Sequence, residues 1–471
     1  VLIGACLIGL CIFGIRGRTG YNPIKVSAAY FCQDAFLNQL GVSPTFNLLT
    51  SVMDDMRPEN KYLHLMDEQE AITKAQALLN RPGDANVSPL AVYRRAAKAD
   101  SVQQRRPNVV LIMMESMSAK FMKHFGQSET LTPFLDSLYT RSISFRNFYS
   151  AGIHTNHGLY ATLYSFPAMM KRNLMKGSVI PRYSGLPTVL KENGYYNLFF
   201  MTHEGQYDNM NAFFRTNGYD EVFSQEDYPA DKVVNSFGVQ DDFLYDYAIP
   251  VLNQRAATGQ PFFATLLSIS NHPPYVIPPF FHPKTSGPET QIVEYADWAL
   301  RQFFEEARKQ PWFDNTIFVL EGDHGKLVGD AECELPESYN HIPLMIYSSR
   351  IQPEEKTTFG GQVDIQPTIL GLLNIDYLQN NFGVDLLKEE RPCMFYTADN
   401  MVVGRNDTLL YLYNYETQQE LTYDIGNGKL NAVPMDDSFL PLKEYSFSML
   451  QSAEFLVKHG KTLNSIPFTQ Q

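Results

Sequence analysis

The sequence predicts an α/β fold, a mixed and mostly parallel sheet with helices on both faces, followed by a small antiparallel sheet. Three observations carry this. Continuous apolar runs recur, the first being Val109–Met114 in "RRPNVVLIMMES", and such runs suit strands covered on both faces. Segments of helical periodicity alternate with them, as in a sheet wrapped by helices. Polar and ionisable residues stand directly after four of the runs, at the sheet edge where open α/β folds bind ligands.

The elements follow in order. "VLIGACLIGLCIFGI" carries no charge and is closed by Arg16 and Arg18. Spanning a membrane takes about 20 apolar residues, so residues 1–18 are expected to be the end of a transmembrane helix. The two arginines by themselves suggest a cytoplasmic end. Residues 19–105 read as a helical connector: "VSAAYFCQDAFLNQLG" and "EQEAITKAQALLN" have helical spacing, and "RPGDANVSP" is a loop. The main domain is expected over 106–392. There "TPFLDSLYTR" predicts a helix, "ISFRNFYS" a strand and "LPTVLKENG" a helix ended by Gly194. "YYNLFFMTH", "PFFATLLSIS", "TIFVLEGDHG" and "IPLMIYSS" predict strands; "DDFLYDYAIPVLNQ", "IVEYADWALRQFFEEARK" and "DIQPTILGLL" predict helices. In 393–471, "CMFYTADNMVVG", "TLLYLYNYE" and "QELTYDI" predict a small antiparallel sheet, with a helix at "SFSMLQSAEFLVKHG".

The chain is 471 residues long, 44% hydrophobic and 19% charged, which is a globular composition. Its net charge of −13 argues against a nucleic-acid partner and against electrostatic docking on an anionic membrane. Five scattered cysteines, Cys6, Cys11, Cys32, Cys333 and Cys393, include no Cys-x-x-Cys pair and suggest no disulfide framework.

Four strand ends carry the chemistry: Glu115 after "VVLIMM", His203 after "NLFFMT", His272 after "FATLLSISN", and Asp323 with His324 after "TIFVLEG". Asp, His and a remote Glu form a mixed oxygen and nitrogen site for Mn²⁺, Zn²⁺ or Mg²⁺. In "SAGIHTNHGLYATLYSFP", Thr155 stands at a helix start, where a hydroxyl beside a divalent cation becomes a nucleophile and the helix end favours oxyanions. Taken singly, each residue has a plainer reading: Thr155 as an N-cap, Glu115 as a first-turn acid, Asp323-His324 as a surface turn, His203 and His272 as structural histidines. The same holds for His154, His157 and His341. Convergence on one sheet edge favours a site. Gly322 and Gly325 are expected to let the backbone turn tightly around Asp323 and His324.

The ordered set "PNVVLIMMES", "SAGIHTNHGLYATLYSFP", "HEGQYDNMNAFFRTNGY", "SISNHPPY", "LEGDHG", "NHIPLMIYS" and "VDIQPTILGLL" resembles the lipoteichoic acid synthase family. Its members are phosphoglycerol transferases of the alkaline phosphatase and sulfatase superfamily. The resemblance covers residues 100 to 390 and implies that superfamily's fold. It implies that Glu115, Thr155, Asp323 and His324 hold one divalent metal ion, Mn²⁺ ahead of Zn²⁺ or Mg²⁺. It implies Thr155 as a nucleophile forming a covalent phosphoglycerol intermediate, with His203, Arg215 and His272 contacting phosphoglycerol and Asp208 and Asn209 placing its hydroxyls. A guanidinium such as Arg215 also suits phosphate on its own chemistry. His272 is assigned the leaving-group proton. The donor implied is phosphatidylglycerol, and the acceptor a glycerol-phosphate chain, a glycolipid or a glycan. The resemblance also places the catalytic part outside the cytoplasmic membrane, against the hint from Arg16 and Arg18. Phe213 and Phe214 stand where the family often carries Trp, which bears on head-group selectivity.

Phosphoethanolamine transferases share this metal site and nucleophile but usually carry disulfides. Sulfatases need Cys or Ser in a Cys/Ser-x-Pro-x-Arg context, whereas Thr155 is followed by Asn156, His157, Gly158 and Leu159. A phosphodiesterase-type hydrolase and a binding module that retains the fold without turnover are the remaining alternatives.

Overall fold

A computed structural model describes residues 2–19, 23–32, 35–57, 60–94, 106–177 and 180–463. The apolar N-terminal run forms α1 (Leu2–Arg16), every residue of which is unburied. Among the described residues no helix is long and apolar enough to cross a membrane. Short helices α2 (Ala35–Leu40) and α3 (Pro44–Asp55) follow. Then comes α4 (Glu68–Leu79), started by Asp67, whose carboxylate accepts the N–H groups of Gln69 and Glu70. A short strand, β1 (Val92–Arg94), accompanies these helices, and the end of the expected connector, 95–105, lies outside the described residues.

The central sheet has eight strands: β2 (Asn108–Met114), β3 (Ile143–Tyr149), β4 (Tyr196–Met201), β5 (Glu221–Phe223), β6 (Phe262–Leu267), β7 (Thr316–Gly322), β8 (Leu344–Tyr347) and β9 (Glu354–Gly361). Their order is β5-β4-β6-β2-β7-β8-β3-β9. Pairings β4–β5, β4–β6, β2–β6, β2–β7 and β3–β9 are parallel; β8 alone runs against its neighbours β7 and β3. The carboxyl ends of β2, β3, β4, β6 and β7 therefore all emerge at one edge.

Why these strands are continuously apolar is visible in β2. Its side chains alternate between faces. Val109, Leu111 and Met113 enter one core with Leu163, Leu190 and Ile369. Val110, Ile112 and Met114 enter the other with Leu135, Leu244 and Phe303. One face thus carries α6 (Thr155–Tyr164), α7 (Leu186–Glu192) and α11 (Ile365–Leu372); the other carries α5 (Pro133–Tyr139), α9 (Asp241–Ala256) and α10 (Pro288–Ala307). Helix α8 (Met210–Thr216) packs beside β5. Burying one such aliphatic side chain contributes roughly 1.5–3 kcal/mol.

Strand β10 (Tyr377–Gln379) pairs antiparallel with β1. A five-stranded antiparallel meander follows: β11 (Met394–Ala398), β12 (Met401–Arg405), β13 (Leu409–Asn414), β14 (Gln419–Asp424) and β15 (Asn431–Ala432). Tyr396, Val403 and Leu412 on one face of it join Tyr149, Phe359 and Val363 of the main body. The C-terminal helix α12 (Leu440–Lys458) packs on β11, β12 and α4. All five cysteines are free thiols.

Candidate active site

At the end of β2, Glu115 is buried and the chain turns through Ser116, whose φ is +50°. The Ser116 N–H donates to Asp323 Oδ1 at 2.8 Å and its hydroxyl to Glu115 Oε1 at 2.7 Å. At the end of β7, Asp323 is also buried. Its Oδ1 accepts a second N–H, from His324 at 2.7 Å, while Oδ2 has no hydrogen-bond partner. His324 Nδ1 lies 2.7 Å from the Gly325 carbonyl oxygen, an acceptor, so Nδ1 carries the proton. The bare Nε2 then faces Asp323 Oδ2 at 3.6 Å and Glu115 Oε1 at 3.9 Å. One ligand atom from each of Glu115, Asp323 and His324 lies within 4.8 Å of the others. Burial, and then the Asp323 carboxylate, push the Glu115 carboxyl well above its ordinary range.

Thr155 comes from the loop after β3. It is not the N-cap: His154 holds that position without a side-chain cap, and Thr155 is the first residue of α6. Its hydroxyl is thereby free to face the triad, donating to Glu115 Oε2 at 3.4 Å. Helix α6 reaches this position by close approach. A Cβ on Gly158 would lie 2.3 Å from the Asp323 carbonyl oxygen. Gly322 and Gly325 serve the same end rather than a tight turn. Neither has positive φ, but added Cβ atoms would meet the Met117 oxygen at 2.5 Å and the Ser338 oxygen at 2.1 Å.

The other sequence candidates divide. His203 is buried, with Nδ1 3.3 Å from the Glu204 oxygen and Nε2 without a partner. His272 packs at a 42° tilt against Phe237, ring centroids 4.0 Å apart, and sets Nδ1 2.6 Å from the Pro273 oxygen. Asp208 approaches the neighbour of Thr155: its Oδ2 accepts from Asn156 Nδ2 at 3.3 Å, and Lys176 Nζ holds Oδ1 at 2.8 Å. Asn209 donates to the Met175 oxygen at 3.0 Å. Arg215 is directed elsewhere. Its guanidinium donates to Asn211 Oδ1 at 2.8 Å and to the Val222 oxygen on β5 at 3.4 Å, and neither bond leads to Thr155. His154 pairs with Asp399 at the surface, 2.9 Å away. His157 is buried beside it with both ring nitrogens unpartnered, and burial pushes its pKa well down. His341 Nε2 donates to the Arg146 carbonyl oxygen, 2.8 Å away.

Several supporting residues gave no sequence signal. Asn271 Nδ2 donates to the Glu115 and Ser116 carbonyl oxygens, each at 3.1 Å, and its Oδ1 accepts from Lys326. Burial pushes the Lys326 ammonium down to about 8. Gln362 ties the two halves of the site together, accepting the Ala151 N–H at 2.9 Å and donating to the Asp323 oxygen at 2.7 Å. Asn271 stands beside the flagged His272; nothing in the local sequence marks Gln362.

A divalent cation fits this set. Two carboxylates and one oriented imidazole offer their atoms to one point, and the buried Asp323 Oδ2 has no other use there. The Gly325 carbonyl fixes the His324 tautomer as an outer-shell partner should.

Burial holds the His203 imidazole down to about 4 from an ordinary 6.5. As pH falls below 6.5 the unfolded chain takes up this proton first, while the folded protein resists until about 4. This contribution to stability is therefore complete above 6.5 and is lost through that window, by roughly 3 kcal/mol. In metal-free protein, His203→Gln is expected to flatten that part of the stability–pH curve in urea titrations. Parallel curves for the two proteins would mean that His203 ionises normally.

Comparisons with known proteins bear on the family and the fold. Lipoteichoic acid synthase 1 of Bacillus subtilis (strain 168) is 25% identical over 350 residues, 68% of this chain and 53% of that protein. The lipoteichoic acid synthase of Staphylococcus aureus (strain USA300) is 23% identical over 374 residues, 70% of this chain and 54% of that protein. The chain thus spans about half the length of the curated relatives it matches. Among solved structures, an alkaline phosphatase superfamily protein from Vibrio parahaemolyticus superposes with a TM-score of 0.75 at 26% identity, over 86% of this chain and 99% of that one. The lipoteichoic acid synthase LtaP of Listeria monocytogenes gives 0.64 at 21% identity, over 75% and 92%, and shows a shared fold. The family model described as Sulfatase matches residues 107–375, which run from the start of β2 past the end of α11 and include Glu115, Thr155, Asp323 and His324. With more than half its length in that match, the chain belongs to the sulfatase family.

Proposed function

We propose that this protein is a metal-dependent phosphoglycerol transferase, working at a membrane surface outside the cytoplasm, with phosphatidylglycerol as donor and a hydroxyl compound as acceptor. The observation that carries the reading is the placement of the Thr155 hydroxyl, at the start of α6 and on the carboxylate of a buried Glu-Asp-His triad. Glu115, Asp323 and His324 would hold the cation, Mn²⁺ first among the candidates. When bound, it supplies positive charge that lowers the pKa of the threonine hydroxyl and steadies phosphate oxygens.

The chain's own residues then do the following. Thr155 Oγ1, its proton already given up to solvent, forms a bond to phosphorus as the bond from phosphorus to the diacylglycerol oxygen breaks, and it returns as the same oxyanion at the end of the cycle. His272, with Nδ1 on the Pro273 carbonyl, presents Nε2 and delivers a proton to the departing oxygen. Diacylglycerol leaves, and phosphoglycerol stays on Thr155. In the second half an acceptor hydroxyl attacks phosphorus, its proton passes to His272 Nε2, and Thr155 is released. Asp208, anchored by Lys176 beside Asn156, is placed to accept hydrogen bonds from glycerol hydroxyls. His203, buried and neutral at pH 7, is the other histidine this reading assigns to phosphoglycerol. Arg215 keeps guanidinium N–H groups beyond those on Asn211 and Val222 with which to contact donor phosphate, alongside His203 and Asp208. The free cysteines fit this reading better than phosphoethanolamine transfer, and the residues after Thr155 do not fit a formylglycine sulfatase.

The test is release of fluorescent diacylglycerol by the full chain with Mn²⁺, resolved by thin-layer chromatography. Phosphatidylglycerol is expected to react at least about ten-fold faster than phosphatidylethanolamine, a difference of about 1.4 kcal/mol in transition-state binding. The reverse preference would move the protein to phosphoethanolamine transfer, and no release from either lipid would overturn a phospholipid donor.

A further inference from the structure

A second cleft, of about 680 Å³, lies between the main body and the C-terminal meander, and it contains none of the triad. Its size falls within the roughly 300–1,000 Å³ typical of small-molecule sites. Three cations line it, Lys120, Arg405 and Lys429, together with three carboxylates, Glu332, Glu337 and Asp407. The cleft is therefore dense in charge and close to neutral overall. Phe125 and Tyr396 add aromatic surface.

Part of this lining is prearranged. Arg405 holds Glu337 in an ion pair and lies over the Tyr149 ring, 4.8 Å from its centroid. Tyr149 stacks on Tyr396 at 5.5 Å and donates its hydroxyl to Glu337 at 3.1 Å. The buried Nε of Arg405 has no hydrogen-bond partner, which leaves a fixed donor unused.

The cleft shares a wall with the catalytic site. Ser338 and His341 face the cleft. From the same segment, the Tyr339 oxygen accepts the N–H of Gly325, next to His324, at 2.8 Å. The Asn340 oxygen accepts the N–H of Ser150, on the loop leading to Thr155, at 2.7 Å. One backbone segment thus separates this cleft from the loops that carry a metal ligand and the nucleophile.

We propose that this cleft binds a neutral, hydroxyl-rich glycan, and that the glycan is the acceptor; the second clause rests on the transferase reading above. Sugar hydroxyls both donate and accept, so they can use charged groups of both signs without bringing charge of their own. Sugar C–H faces lie well on aromatic rings. A glycerol-phosphate chain would instead call for a net positive field, and three carboxylates oppose it.

The experiment uses the full chain without metal, so that donor chemistry is silent. Laminarihexaose, maltohexaose, cellohexaose and glycerol-phosphate oligomers are titrated by calorimetry and by saturation-transfer NMR. Two variants are compared with the wild type, the double change Lys120→Ala with Asp407→Ala, and the cleft-filling Lys429→Trp. At least one hexasaccharide is expected to bind, ten-fold or more weaker in both variants, and transfer of phosphoglycerol to that sugar by the metal-loaded variants is expected to fall in the same proportion. Failure of every hexasaccharide to bind, unchanged binding in the variants, or tighter binding of the glycerol-phosphate oligomers would each overturn the proposal. Sugar binding in a protein that releases no diacylglycerol would keep the site and remove the transferase reading. Release of diacylglycerol without sugar binding would do the opposite.

Discussion

Thr155→Ala is expected to lower diacylglycerol release from phosphatidylglycerol by at least about 10³-fold, the usual scale for loss of a nucleophile. The fold should be almost indifferent. The hydroxyl makes one long hydrogen bond, 3.4 Å to Glu115, and caps nothing. Alanine is the better helix former at the first position of α6, so the stability change should stay within about 1 kcal/mol. Thr155→Ser keeps the oxygen and should keep most of the activity. A wild-type sample quenched during turnover should carry phosphoglycerol on the peptide containing Thr155, read by mass spectrometry, and Thr155→Ala should not. Diacylglycerol release that survives in Thr155→Ala would mean that water attacks phosphorus directly. The protein would then be a phosphodiesterase-type hydrolase.

How far the sequence revealed this site depends on what kind of residue is in question. Glu115 was legible because a strand buried on both faces is uniformly apolar and Glu115 is the first ionisable group after β2. For β7 that rule meets Glu321 first, inside the strand and bonded to Thr162, and Asp323 and His324 stood out only as the Asp-His pair just past the strand end. Strand direction left no such trace. β8 is as continuously apolar as β7, and its antiparallel setting shows only in the pairing. β5 and β9 escaped because both are edge strands. β5 is three residues long, and β9 begins with the charged, exposed Glu354 and Glu355. Gln362 and Asn271 escaped because a side-chain amide that braces a backbone carbonyl has no periodicity to betray it. Arg215 is a different case. Its position in "NAFFRT" suggests a phosphate clamp, but α8 buries Phe213 and Phe214 and sets the guanidinium against Asn211, one helical turn back. The positive φ values of Asp208 and Asn209, +45° and +67°, break the helical path just before α8, and no residue type there announces it.

Asp323→Asn is expected to change stability in opposite directions with and without metal. The substitution is nearly isosteric. An amide oxygen can still accept the Ser116 and His324 N–H groups that Oδ1 accepts now, and the new NH₂ takes the place of the unpartnered Oδ2. Without a cation, the wild type buries two carboxylates, Glu115 and Asp323, within one ligand shell. Their repulsion and desolvation are what raise the Glu115 pKa. Removing one charge relieves both, so metal-free Asp323→Asn should melt higher than metal-free wild type. With Mn²⁺ the order should invert. Loss of a direct ligand should weaken binding by more than the roughly 10–100-fold that an outer-shell partner is worth. A ligand present at 100 times its Kd adds about 2.7 kcal/mol to stability, and the variant would forfeit most of that at the same concentration. Thermal melts of both proteins in EDTA and in Mn²⁺, with metal content measured after dialysis, make the comparison. A variant that melts lower than wild type under both conditions would mean that Asp323 is held there for its hydrogen bonds to Ser116 and His324. The pair of buried carboxylates would then need another explanation than a cation.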